Sequence, residues 1–148
     1  MKINLTITGC MGRMGQQLIK SSNSNKNFKL VSLTENYKIS RKVSNILPEF
    51  NSLNSFKRTN VIIDFTIPKC TLEVLNIASK LKKRVVIGTT GFTRNQEKLI
   101  EKYSKKIPIL KAGNMSLGIN LLMYLTEITS KSLGNNFLSK VFEVHHKH

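Results

Sequence analysis

Cysteine occurs only twice in this chain, at Cys10 and Cys70, which leaves no disulfide framework and no clustered zinc-ligand spacing. Long apolar runs are missing too. No stretch approaches the roughly 18 apolar residues of a membrane-spanning helix, so no membrane partner is expected. The opening Met1-Lys2-Ile3-Asn4-Leu5 has too short an apolar run for a secretory signal and reads as a strand. A cytoplasmic protein is the simplest expectation. Acidic residues are scarce: 8 Asp and Glu stand against 24 Lys and Arg, for a formal net charge of +16. That excess could serve a nucleic acid, because clustered cations displace counterions from phosphates. It could equally be spread over solvated helix faces. Lys80-Leu81-Lys82-Lys83-Arg84 and Lys105-Lys106 each fall where a helix should end, a position the helix dipole favours. No RNA-stacking aromatic motif or helix-turn-helix pattern goes with them. The dispersed reading is therefore adopted, and no nucleic-acid partner is expected.

The 148 residues, 40% of them hydrophobic, suffice for one domain with a real core. Residues 2–8 alternate apolar and polar side chains and predict a strand, followed by a glycine-punctuated turn over 9–15. Met14, Leu18 and Ile19 then predict an amphipathic helix that frays into the polar run 21–27. Residues 28–33 predict a second strand, and 36–60 carry no clear signal. Val61-Ile62-Ile63 has the composition of a strand covered on both faces. Pro68 opens a helix whose buried side should be Leu72, Leu75, Ile77, Ala78 and Leu81. Val85-Val86-Ile87 predicts another buried strand, ended by Gly88. Thr93 with Gln96 three residues on is a capping-box pattern, heading a helix with Leu99, Ile100 and Tyr103. Ile107-Pro108-Ile109-Leu110 predicts a strand with its proline at the start or on an edge. Residues 114–133 predict a longer helix with Leu121, Leu122, Leu125 and Ile128 on one face, and 137–146 a closing strand. Strands alternating with helices at this spacing predict an α/β fold, a Rossmann-type doubly wound parallel sheet.

Gly9-Cys10-Met11-Gly12-Arg13-Met14-Gly15 places glycines as G-x-x-G-x-x-G between the first strand and the first helix. Glycine permits the tight turn and a close backbone approach to a pyrophosphate, and the helix N-terminus adds a positive partial charge. Cys10 and Met11 fill the turn, and Cys10 has no catalytic role. Glu35 follows the second strand about 20 residues on, where a dinucleotide fold places a carboxylate for the ribose hydroxyls. An acidic residue there favours NADH, while Lys38 and Arg41 leave NADPH open.

Four further segments are more specific. Ile63-Asp64-Phe65-Thr66 with Pro68 ends the third strand. Gly88-Thr89-Thr90-Gly91-Phe92 ends the fourth, and 112–120 (Ala112-Gly113-Asn114-Met115 onward) follows the fifth. Glu143-Val144-His145-His146-Lys147-His148 closes the chain. In this order they resemble the dihydrodipicolinate reductases of the diaminopimelate–lysine pathway, over nearly the whole chain and most weakly between residues 36 and 60.

The resemblance implies an NADH- or NADPH-dependent reduction of a cyclic imine, a small-molecule substrate. The turn Gly9, Cys10, Met11, Gly12, Arg13 and Met14 would hold the pyrophosphate, and Glu35 the adenosine ribose. Relatives often carry an arginine after this glutamate to meet the 2′-phosphate of NADPH. Asn36 stands there instead, which moves the expectation further toward NADH. Gly88, Thr89 and Thr90 would line the nicotinamide side, as would Ala112, Gly113, Asn114 and Met115, the last often phenylalanine in relatives. Phe65 and Thr66 would border the same pocket. His145 matches the family's proton donor or acceptor, and His146 a residue touching the substrate carboxylates; no metal is implied. An imidazole, with an unperturbed pKa of about 6.5, suits such proton exchange.

In the family the last motif runs on to a lysine, a P-S-G-T-A segment, and a substrate-binding domain whose open sheet builds a tetramer. The chain is therefore expected to be truncated, with residues 1–136 as the dinucleotide domain and 137–148 as the start of a missing substrate domain. Weak dinucleotide binding, negligible turnover and no family tetramer would follow. A stand-alone dinucleotide-binding or regulatory module is the alternative function, ahead of a basic nucleic-acid binder.

Overall fold

The computed structural model describes residues 2–138, 140–142 and 144. They divide into two units, Met1–Gly113 and Asn114–His148. In the first, five strands form one parallel sheet: β1 (Ile3–Thr8), β2 (Phe28–Thr34), β3 (Val61–Asp64), β4 (Arg84–Ile87) and β5 (Ile109–Lys111). Their spatial order is β2-β1-β3-β4-β5. Helix α1 (Arg13–Ser24) links β1 to β2, and a single turn, α2 (Leu53–Phe56), precedes β3. Helices α3 (Pro68–Lys80) and α4 (Arg94–Ser104) carry the chain through β4 to β5. The chain thus grows from β1 to β2 in one direction, crosses back, and grows from β3 to β5 in the other. The reversal between β1 and β3 is a topological switch point, where loops at the carboxyl ends part and leave a crevice. The Rossmann-like α/β fold expected from the alternation is present.

Two apolar clusters anchor the sheet. Ile7, Leu33, Cys10 and Ile19 pack together around α1. Ile62, Val85 and Ile87 pack with Phe56 of α2, with Val74, Leu75 and Ala78 of α3, and with Ile100 of α4. Each Val, Leu or Ile among them contributes about 1.5–3 kcal/mol when fully buried. The inner strands are covered on both faces, so Thr6 and Thr8 are as buried as Leu5 and Ile7.

Several local expectations change. Helix α1 does not fray at residue 21 but runs to Ser24, with the Ser22 and Ser24 hydroxyls turned back to the Ile19 and Lys20 carbonyls. Its buried stripe is Gly15, Ile19 and Ser22, while Met14 is exposed. The buried side of α3 is Thr71, Val74, Leu75 and Ala78; Leu72, Ile77 and Leu81 are only partly covered. Leu99 of α4 is exposed, and Ile100 is the residue that enters the core. The capping box is present: Thr93 Oγ1 accepts from Gln96 N–H at 3.3 Å, and Gln96 Oε1 from Thr93 N–H at 2.8 Å.

The illegible stretch 36–60 is ordered by long-range bonds. Glu35 N–H donates to the Glu49 carbonyl at 2.9 Å, and Glu49 N–H to that of Leu33 at 3.0 Å, laying this segment along β2. The turn from Val43 to Ile46 uses positive φ at Ser44 and Asn45.

In the second unit, helix α5 (Leu117–Leu133) begins at Ser116, whose Oγ accepts from Ile119 N–H. It ends at Gly134, with φ 64°. Leu121, Leu122, Leu125 and Ile128 are all exposed. Residues 137, 138, 140–142 and 144 are not in a strand. A strand needs a partner for its backbone groups, and this unit has no other among the described residues.

Candidate functional site

A cleft of about 230 Å³ opens at the carboxyl ends of β1, β2 and β3. Gly9 and Gly12 line it from the turn after β1, and Thr34, Glu35 and Asn36 from the end of β2. Phe65, Thr66 and Ile67 line it from the loop after β3, with Asn51 and Cys70 behind.

The turn needs its glycines for definite reasons. Gly9 has φ +62°, and a Cβ there would stand 2.8 Å from Thr66 Cγ2. A Cβ on Gly15 would come within 2.2 Å of the Gly9 carbonyl oxygen, so only glycine lets α1 start this close to β1. Gly12 is the N-cap of α1 without a side-chain capping bond, and no acidic residue stands in the first turn. The positive end of the helix is thus left facing the cleft. Arg13 and Met14 form that first turn with their side chains exposed. Cys10 is wholly buried, its N–H donating to the Thr34 carbonyl at 3.2 Å. Burial, and then the negative charge of Glu35, push its thiol up to about 11. It shapes the turn and offers no nucleophile.

Glu35 joins β2 to this turn. Its Oε2 accepts from Met11 N–H at 3.0 Å, and its Oε1 from Asn36 N–H at 3.0 Å. The carboxylate is held at the cleft wall by two backbone donors rather than left in solvent. Thr34 Oγ1 donates to Asn51 Oδ1 at 2.7 Å, and Asn51 Nδ2 to Cys70 Sγ at 3.3 Å. Burial raises the Cys70 thiol above its ordinary value.

The segment after β4 is tied to the segment after β3. Gly88 lies against the Phe65 ring, and a Cβ there would stand 2.1 Å from Phe65 Cε1. Thr89 is buried, with Oγ1 accepting from Thr66 N–H at 2.9 Å and donating to Asp64 Oδ2 at 2.9 Å. Thr90 is exposed. Gly91 has φ +81°, and the ring of Phe92 lies 5.3 Å from Lys111 Nζ. Ala112 N–H donates to the Ile87 carbonyl at 3.2 Å, which puts 112–113 beside the end of β4.

Glu35, the glycine turn, Phe65 and Thr66 therefore share one cleft, with Gly88 and Thr89 bonded to its β3 wall. Asn114 and Met115 belong to the second unit; Asn114 Oδ1 accepts from Ser116 N–H at 2.9 Å and Met115 is exposed. His145 and His146 lie outside the described residues. Asn51, Ile67 and Cys70 had no place in the sequence reading. Asn51 reaches the cleft only because 36–60 folds along β2, whereas Ile67 and Cys70 could have been placed from the turn that leads into Pro68.

Comparison with known proteins agrees with this fold. Residues 3–115 match the family model for the dihydrodipicolinate reductase N-terminus. The 4-hydroxy-tetrahydrodipicolinate reductase of Pelagibacter ubique (strain HTCC1062) is 72% identical over 99% of this chain and 57% of its own length. That of Buchnera aphidicola subsp. Schizaphis graminum is 40% identical over 97% of this chain and 56% of its own. The chain thus spans somewhat over half the length of these curated relatives. Among solved structures, the dipicolinate-bound dihydrodipicolinate reductase from Paenisporosarcina superposes with a TM-score of 0.71 at 28% identity, covering 87% of this chain and 54% of that one. A parallel sheet with a glycine turn at its switch point is common to many folds; a family match running from β1 to just past β5 is not, and the chain belongs to the dihydrodipicolinate reductase family, whose N-terminal part it matches.

Proposed function

We propose that this chain provides the dinucleotide-binding part of a 4-hydroxy-tetrahydrodipicolinate reductase, an oxidoreductase that uses NADH or NADPH, with NADH favoured. One observation carries the reading: Glu35 is bonded to Met11 N–H at the mouth of the switch-point cleft. This sets a carboxylate next to a helix N-terminus, the pairing that a ribose and a pyrophosphate need. The donors present fit such a group, since the α1 N-terminus carries no side-chain cap and Gly9 and Gly12 keep the approach open.

When bound, the nicotinamide would supply a hydride to a cyclic imine. The turn from Gly9 to Met14 would take the pyrophosphate, and Glu35 would accept from the adenosine ribose hydroxyls. Gly88, Thr89 and Thr90 would border the nicotinamide side, together with Ala112, Gly113, Asn114 and Met115. His145 would hold or release a proton for the substrate nitrogen, and His146 would bind a substrate carboxylate. Residues 1–136 would form the cofactor domain and 137–148 the opening of a substrate domain. With Asn36 after Glu35, a 2′-phosphate would meet a carboxylate and no adjacent arginine, which favours NADH. The reading places the protein in the cytoplasm, with a small-molecule substrate and no nucleic-acid partner. Among the described residues no helix is long and apolar enough to cross a membrane.

Titration of the full chain with NADH and with NADPH, followed by nicotinamide fluorescence, tests the proposal. Saturable binding that is tighter for NADH is expected. Absence of binding to either would overturn it.

A further inference from the structure

A carboxylate is buried at the switch point. Asp64 ends β3 and is wholly buried. Its Oδ1 accepts from Thr8 Oγ1 at 2.5 Å and Thr66 Oγ1 at 2.8 Å. Its Oδ2 accepts from Thr71 Oγ1 at 2.5 Å and Thr89 Oγ1 at 2.9 Å. Four hydroxyls from β1, the β3 loop, α3 and the β4 loop thus converge on one side chain.

A buried charge is costly unless fully hydrogen-bonded, a condition these four donors meet. What a carboxylate adds is direction. A threonine hydroxyl can donate or accept, but an ionised carboxylate only accepts. Asp64 therefore makes a donor of the Thr89 hydroxyl and leaves the Thr89 oxygen to accept from Thr66 N–H. The result is a one-way chain from Thr66 N–H through Thr89 to Asp64, which locks the loop after β4 to the loop after β3. Glu35 is held separately, by Met11 N–H and the Glu49 carbonyl, and Asn36 N–H by Glu35.

We propose that Asp64 is a positioning residue: through Thr89 it sets the β4 loop that borders the nicotinamide half of the dinucleotide, without touching the cofactor. The inference rests on the dinucleotide reading above. An amide at this position offers one accepting oxygen and an NH₂ group, so two of the four hydroxyls would have to reverse.

The test uses the full chain as wild type, Asp64→Asn and Thr89→Val. NADH binding is followed by nicotinamide emission and affinity, and ADP-ribose binding, which lacks the nicotinamide, by calorimetry. Asp64→Asn and Thr89→Val should weaken NADH roughly three- to tenfold, the loss of about one hydrogen bond, and reduce the emission change on binding. ADP-ribose affinity should fall by a smaller factor than NADH affinity, because Glu35 and the α1 N-terminus make no bond to Asp64. Equal loss of both ligands, or no loss of either, would overturn the proposal and leave Asp64 a structural residue. If Asp64→Asn does not fold, Thr89→Val decides by the same criteria. A wild-type chain that binds neither ligand would remove the dinucleotide reading, and this inference with it.

Discussion

Gly15 and Gly9 are in backbone contact: a Cβ on Gly15 would stand 2.2 Å from the Gly9 carbonyl oxygen and 2.8 Å from Cys10 Cα. Helix α1 can begin where it does only because no side chain separates it from the turn. Exchange of glycine for alanine inside a helix ordinarily stabilises by about 0.5–1 kcal/mol. Gly15→Ala should instead destabilise by roughly 1–3 kcal/mol, the range for overpacking, since the atoms it meets are backbone and cannot swing aside. Urea denaturation would show it. Gly118→Ala in α5, where the nearest atom is Ser116 Oγ at 3.9 Å, should show no such loss.

Gly88→Ala has a different consequence, because what it meets is a side chain. The new methyl would stand 2.1–2.6 Å from Phe65 Cε1, Cζ and Cδ1, so the ring must leave its place. Phe65 lines the cleft, and the displaced ring should intrude on it and weaken NADH binding. Phe65→Ala in the same chain should relieve much of the loss. A double-mutant cycle on binding should give a coupling of at least about 0.5 kcal/mol, as for directly touching residues; additive effects would contradict the contact.

Cofactor choice should turn on two adjacent positions. Asn36→Arg places a guanidinium beside Glu35, where it can pair with a 2′-phosphate. NADPH should tighten roughly tenfold relative to NADH, as a charge-assisted hydrogen bond would give. Glu35→Ala should weaken NADH more than NADPH and free the Met11 N–H. An unchanged NADH-to-NADPH ratio in both variants would place the adenosine ribose elsewhere.

The Cys10 thiol predicts an alkaline weakness. Its pKa rises from 9.0 to about 11 in the folded chain, so between these values the native state keeps a proton that the unfolded state has lost. Stability from this source is complete below pH 9 and falls as pH rises toward 11. The loss is at most about 2–3 kcal/mol. The measurement is the difference between wild type and Cys10→Ala in denaturant unfolding at about pH 8 and about pH 10.5. The wild type should lose more stability over that interval, and parallel curves would contradict the assignment.

The order of the five strands and of α1, α3, α4 and α5 was legible because each carries its own periodicity or cap, as in Ile62–Ile63, Pro68 and the Thr93–Gln96 box. The glycine turn and Glu35 were legible for a similar reason, since their spacing follows from a single β-α-β unit. Boundaries and buried faces were less so. Ser22 and Ser24 read as a fraying end, yet both belong to α1, and Ser22 is buried. Thr71 reads as polar, yet it is buried because Asp64 needs its hydroxyl.

By itself, then, the sequence determined the α/β class, the parallel alternation, the glycine turn with its acidic partner, and the family, all of them local patterns or ordered motifs. Only the tertiary structure decided the strand order with its switch between β1 and β3, the course of 36–60 along β2, and the meeting of Asp64 with four threonines. Those depend on which surfaces pack and which buried polar atoms find partners, across separations such as the 56 residues from Thr8 to Asp64. No window along the chain contains that information, because it arises when distant segments leave water together.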